Sequence, residues 1–160
     1  LFDIGCLGRI AQAQERPDGT FQIMLLGESR FRVLEEAPRT GDRLYRSARV
    51  ELLPDREPTG DVELEAMARA RSELLALLER LVQGLDATRD PAGAVAAFER
   101  LEPVRLVNAL TRSIAFTPVE RQQLLEADSI VGRFETMADL LRFRLAEMGA
   151  GRADGESLPN

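Results

Sequence analysis

The stretch Asp18–Glu36, DGTFQIMLLGESRFRVLEE, decides how the first third of this chain is read. Phe21, Ile23 and Leu25 alternate with Gln22, Met24 and Leu26, which is the period of an extended strand. Gly27-Glu28-Ser29 then breaks the pattern, and beyond it Phe31 and Val33 alternate with Arg30 and Arg32. Upstream, RPDGT (Arg16–Thr20) is a tight-turn signal: Pro17 presets φ, and Asp18-Gly19 tolerates positive φ. Before it, LFDIGCLGRIAQA (Leu1–Ala13) mixes apolar residues with Gly5 and Gly8, as a bent or bulged strand does. A second turn is expected at Arg39–Asp42, followed by RLYRSARVELL with Leu44, Val50 and Leu52 facing inward. Four short strands at about ten-residue spacing predict an antiparallel sheet or barrel.

The period changes after Leu53. PDREPTGD (Pro54–Asp61) is polar, holds two prolines and a glycine, and forms the expected linker between two parts. From Val62, Leu64, Met67, Leu74, Leu78, Leu81 and Leu85 repeat at helical spacing, with Asp61, Glu63 and Glu65 in the first turn, where the helix dipole favours anions. Asp90-Pro91 opens a helix over Ala92–Leu101, and Pro103 opens another striped by Leu106, Val107, Leu110 and Ile114. TPVE (Thr117–Glu120) is a capping box with proline at the first helical position. Asp128 is expected to cap a last helix carrying Phe134, Met137, Leu141, Leu145 and Met148, with Gly149 ending it and a frayed tail beyond. The expected division is therefore strands over 1–53, a linker over 54–61, a helical bundle over 62–149 and a flexible tail over 150–160.

Composition removes whole classes of chemistry. The chain has 160 residues, a net charge of −6, and no histidine, lysine or tryptophan. Without histidine there is no Ser-His-Asp or Cys-His arrangement and no histidine zinc site. Without lysine there is no P-loop, Schiff base or Ser-Lys dyad. The charge is spread rather than clustered: residues 1–60 hold nine arginines against ten acids, and residues 61–160 twelve against seventeen. An acidic chain with no basic run lacks the phosphate-neutralising surface that nucleic-acid binding draws on. No apolar run approaches the ~20 residues a membrane span needs. Cys6, the single cysteine, cannot form an internal disulfide; it fits a reducing cytoplasm and is read as a small buried hydrophobe.

Several residues still invite a functional reading. Arg9, Arg30 and Arg32 could build a small basic face, but a solvated strand face paired across strands with Glu28, Glu35 or Glu51 explains them better. Glu63 with Glu65, and Glu73 with Glu79, could be carboxylate pairs; exposed helix faces account for them. Gly5 and Gly8 make a GxxG with no helix following, so a bulge or close strand approach is preferred to a phosphate loop. The leucine-rich 64–85 helix reads as core or dimer seam, and Arg71 in a seam-like position argues against an uninterrupted coiled coil.

With these residues in place, the chain resembles the N-terminal domain of the Lon protease family. The resemblance is carried by Gly8, Ile10, Asp18-Gly19, Leu25-Leu26, Gly27, Arg30, Arg32, Val33, Tyr45, Ala48 and Val50. It continues in TPVERQQLLEADSIVGRFETMADLL through Glu120, Gln123, Leu124-Leu125, Arg133 and Leu140-Leu141. It covers most of residues 4–145, and the order and spacing of the motifs carry it. The resemblance implies an α+β fold, a PUA-like antiparallel β-barrel followed by a helical bundle, that holds substrates and helps assemble a ring. It also implies that the family's opening strands, with their PLFPL-like start, are missing here, so that the chain is expected to be a fragment of a stand-alone protein of this type.

The function expected from this reading is non-enzymatic binding of protein or unfolded polypeptide segments. No catalytic residue, cofactor or metal is assigned, the peptide-binding residues are left open, and neither nucleic acid nor membrane is expected as partner. A homodimer stays open. The alternative is a small-molecule domain or carboxylate-based hydrolase using the barrel mouth, which would need convergent carboxylates in a pocket.

Overall fold

The computed structural model describes residues 2–38, 41–42, 44–85 and 90–156, with side chains through residue 150. Three strands come first, β1 (Ile4–Glu15), β2 (Phe21–Ala37) and β3 (Ser47–Leu53). Five helices follow: α1 (Asp61–Leu85), α2 (Pro91–Glu99), α3 (Pro103–Ser113), α4 (Pro118–Glu126) and α5 (Ile130–Glu156). The architecture is α+β. The described residues divide between Asp55 and Arg56 into a sheet unit and a helical unit, and each is described by itself.

The sheet is antiparallel with order β1-β2-β3. Its centre is the long β2, which pairs with β1 through its first part and with β3 through its second. Here the structure corrects the sequence reading. Gly27-Glu28-Ser29 does not end a strand: Leu7 pairs with Ser29 and Gly8 with Gly27, so Glu28 is an extra residue bulged out of one continuous strand. Such a bulge bends and twists a strand without terminating its ladder, so the described residues hold three strands where four were expected. A second irregularity lies between Ile10 and Gln12, and a third between Val33 and Glu35. Among the described residues the three strands form one antiparallel sheet, in keeping with the α+β fold expected, a barrel incomplete at its start followed by a helical bundle.

The β1–β2 turn forms as its residues require. Gly19 has φ +78°, and Asp18 Oδ1 accepts hydrogen bonds from the Thr20 amide at 3.0 Å and the Thr20 hydroxyl at 2.7 Å. The hydroxyl, then the amide, hold the Asp18 carboxyl below its ordinary pKa. At the second expected turn, Arg39 and Thr40 lie outside the described residues, and Gly41 has φ +63°. The positions expected to face inward do not: Leu44 is 98% exposed, and Val50 and Leu52 are exposed as well. A single sheet layer can bury its apolar side chains only against a second layer, and the three strands of this unit lie in one sheet.

The apolar core belongs to the helical unit. Met67, Leu74, Leu77, Leu78 and Leu81 of α1 are buried with Val95 of α2 and Leu106, Val107 and Leu110 of α3. Leu124 of α4, Ile130, Phe134, Met137, Ala138 and Leu141 of α5, and Ile114 and Phe116 between α3 and α4 belong to the same cluster. The expected stripe on α1 therefore holds in its middle, whereas Leu64 and Leu85 at its ends are exposed. Arg71 interrupts the stripe because it has a polar task, donating to the Glu99 carbonyl at the end of α2. Cations are favoured at a helix C-terminus, where backbone carbonyls lack partners.

Caps set the helix ends. Asp90 accepts from the Gly93 amide at 3.0 Å, and proline opens α2, α3 and α4. The Thr117–Glu120 capping box forms in full, with the Thr117 amide donating to Glu120 at 2.6 Å and the Glu120 amide to the Thr117 hydroxyl at 3.2 Å. Replacing Thr117 by alanine is expected to cost about 1 kcal/mol, read as a lower urea midpoint of the helical signal. An unchanged midpoint would mean the box is dispensable. At α5 the cap is Ser129, whose hydroxyl accepts from the Gly132 amide at 3.0 Å, one residue later than the expected Asp128. Gly149 does not end α5, which runs to Glu156; the last four residues of the expected tail lie outside the described residues. Glycine weakens a helix interior by about 1 kcal/mol but does not by itself stop the hydrogen-bond ladder.

Candidate polypeptide-binding surface

The surface is built by the alternation of β2 and its register with β1. Glu15 lies opposite Phe21, Ala13 opposite Ile23 and Ile10 opposite Leu25. Residues directly opposite share a face, so Ile10, Ala13, Phe21, Ile23 and Leu25 form one apolar strip. Phe21 is 62% and Leu25 60% exposed, and Ile10 and Ile23 are exposed too. The other face of the same segment carries Gln22, Met24 and Leu26 opposite Gln14, Gln12 and Arg9. Exposed apolar patches of this kind mark surfaces that meet a protein, a membrane or a ligand.

Several charged residues of the sheet unit are engaged with one another. Arg9 donates to Glu28 at 2.9 Å, anchoring the bulged residue to β1. Arg32 and Glu51 sit directly opposite and approach to 3.9 Å; Arg49 and Glu35 do the same at 3.3 Å, and Arg46 binds Glu36. Exposed pairs of this type stabilise by about 0–1 kcal/mol each, and they satisfy the carboxylates rather than gather them at one point.

Arg30 departs from the solvated face expected for it. It is 7% exposed and pairs with Asp55 at 3.4 Å, a partner from the linker that strand register could not reveal. Gly5 lies under the Phe31 ring, where an added Cβ would come 2.4 Å from Cζ, and Gly8 faces Gly27 beside the bulge. Both glycines thus serve close strand approach. Cys6 is exposed, contrary to the expectation of a buried hydrophobe, because β1 has only β2 beside it among the described strands.

In the helical unit, the carboxylate pairs considered from sequence separate into different tasks. Glu63 accepts from the Thr59 amide at 2.7 Å before α1, and Glu73 binds Arg142, tying α1 to α5. A denser polar cluster escaped the sequence reading. Arg144 of α5 donates to the Ala115 carbonyl at 2.7 Å and to Glu120 at 3.2 Å, with its guanidinium 4.9 Å from the centre of the Phe116 ring. The Thr117–Glu120 box was legible, but its arginine lies 24 residues downstream of Glu120, a separation that local patterns do not report.

Burial pushes the Glu120 carboxyl pKa up, but the Thr117 donors and the Arg144 cation outweigh it, so the net shift is downward from 4.5. A depressed carboxylate stabilises the fold above its unfolded pKa and loses that contribution as pH falls through the folded value. Glu120→Gln should therefore be less stable than the parent at about pH 6, with the gap closing below about pH 4.5. Urea midpoints measured along that range check it; a gap independent of pH would assign the Glu120 effect to shape alone.

Among the described residues no helix is long and apolar enough to cross a membrane, and no group of three or more Cys, Asp or Glu side chains is placed to hold a metal ion.

An antiparallel sheet presenting an apolar strip, followed by a five-helix unit, defines an α+β domain. The family model for the ATP-dependent protease La (LON) substrate-binding domain matches residues 1–142, and the chain belongs to that family. It is 28% identical over 145 residues to a Lon protease of Anaeromyxobacter dehalogenans, covering 88% of this chain and 16% of that protein. It is 31% identical over 126 residues to Lon protease 2 of Syntrophobacter fumaroxidans, covering 79% of this chain and 15% of the relative. The chain thus spans about one sixth of these relatives. Among solved structures it is similar to the N-terminal domain of a Mycobacterium avium complex Lon protease, at 21% identity and a TM-score of 0.63 over 88% of this chain and 70% of that one. A Lon N-terminal domain protein from Xanthomonas campestris gives 22% identity and a TM-score of 0.52 over 85% and 66% of the two chains.

Proposed function

We propose that this domain binds extended, apolar polypeptide segments on the strip formed by Ile10, Phe21, Ile23 and Leu25, and performs no catalysis of its own. The observation that carries the reading is the exposure of that strip in a member of a substrate-binding family. Burying one large apolar side chain is worth about 1.5–3 kcal/mol, so a few contacts along the strip offset the ordering of a short flexible segment. Unfolded chains expose such segments, and folded ones hide them. Discrimination then needs no recognition of a particular sequence, only of apolar surface in an extended backbone. The sheet carboxylates Glu28, Glu35 and Glu51 are each paired with an arginine, which disfavours carboxylate hydrolysis on the sheet. A reducing, cytoplasmic setting is part of the proposal, supported by the single cysteine.

The test is fluorescence anisotropy with a labelled small protein offered in two forms, native and permanently unfolded by reduction and carboxymethylation. Saturable binding of the unfolded form and none of the native form is expected. Equal binding of both, or of neither, would overturn the proposal.

A further inference from the structure

We draw no further inference here: the strongest candidate, the exposed apolar face of the three-stranded sheet around Phe21, Ile23 and Leu25, already belongs to the proposed polypeptide-binding surface, and nothing in the structure shows what covers the outer edges of β1 and β3.

Discussion

Phe134→Ala is expected to destabilise the helical unit by about 3–5 kcal/mol. Phe134 is fully buried on α5, within the cluster that includes Leu74 of α1, Leu106 and Leu110 of α3, and Met137 and Leu141 of its own helix. Truncating it removes the transfer free energy of an aromatic ring and leaves a cavity that helices from several directions cannot close together. Small domains hold about 5–15 kcal/mol in total, so this one change consumes a large share. The control lies nine residues further along the same helix. Phe143 is 60% exposed, and Phe143→Ala should shift stability by no more than about 0.5 kcal/mol. Urea unfolding followed by helical circular dichroism measures both. Similar losses in the two variants would contradict the placement of the core on the Phe134 side of α5.

The double variant Ile23→Asp, Leu25→Asp is expected to weaken binding of the unfolded polypeptide by at least about tenfold, since about 1.4 kcal/mol corresponds to that factor. Both side chains stand on the apolar strip, opposite Ala13 and Ile10, and both are exposed. Aspartate removes the apolar contact and places a charge where a ligand would have to strip its water. Because the replaced side chains are already solvated, the helical unit should unfold at an unchanged urea midpoint. The matched control Gln12→Asp, Gln22→Asp adds the same charge to the opposite face of the same strands. Binding should then fall by less than about threefold, since only the long-range charge term changes. Equal losses from both pairs would show that net charge, not the strip, governs binding.

What the sequence determined by itself follows from local physics. The turn at Pro17–Gly19, the prolines opening α2, α3 and α4, and the Thr117–Glu120 box are set by backbone geometry and near-neighbour hydrogen bonds, so their residues announce them. The stripes on α1, α3 and α5 were legible because one helix face must be apolar to be buried. Length and type of the strands were partly legible, but continuity was not. Gly27-Glu28-Ser29 carries break-like residues, and only its pairing with Leu7 and Gly8 shows that the chain bulges there and continues. Burial was the other unread quantity. Alternation identifies which side chains share a face, whereas whether Phe21, Ile23 and Leu25 are covered depends on what is packed against the sheet. The same holds for Arg30 with Asp55 and Arg144 with Glu120, whose partners lie 25 and 24 residues away along the chain. Such pairs are decided by tertiary structure because a charge responds to distance in space, and sequence patterns record only distance along the chain.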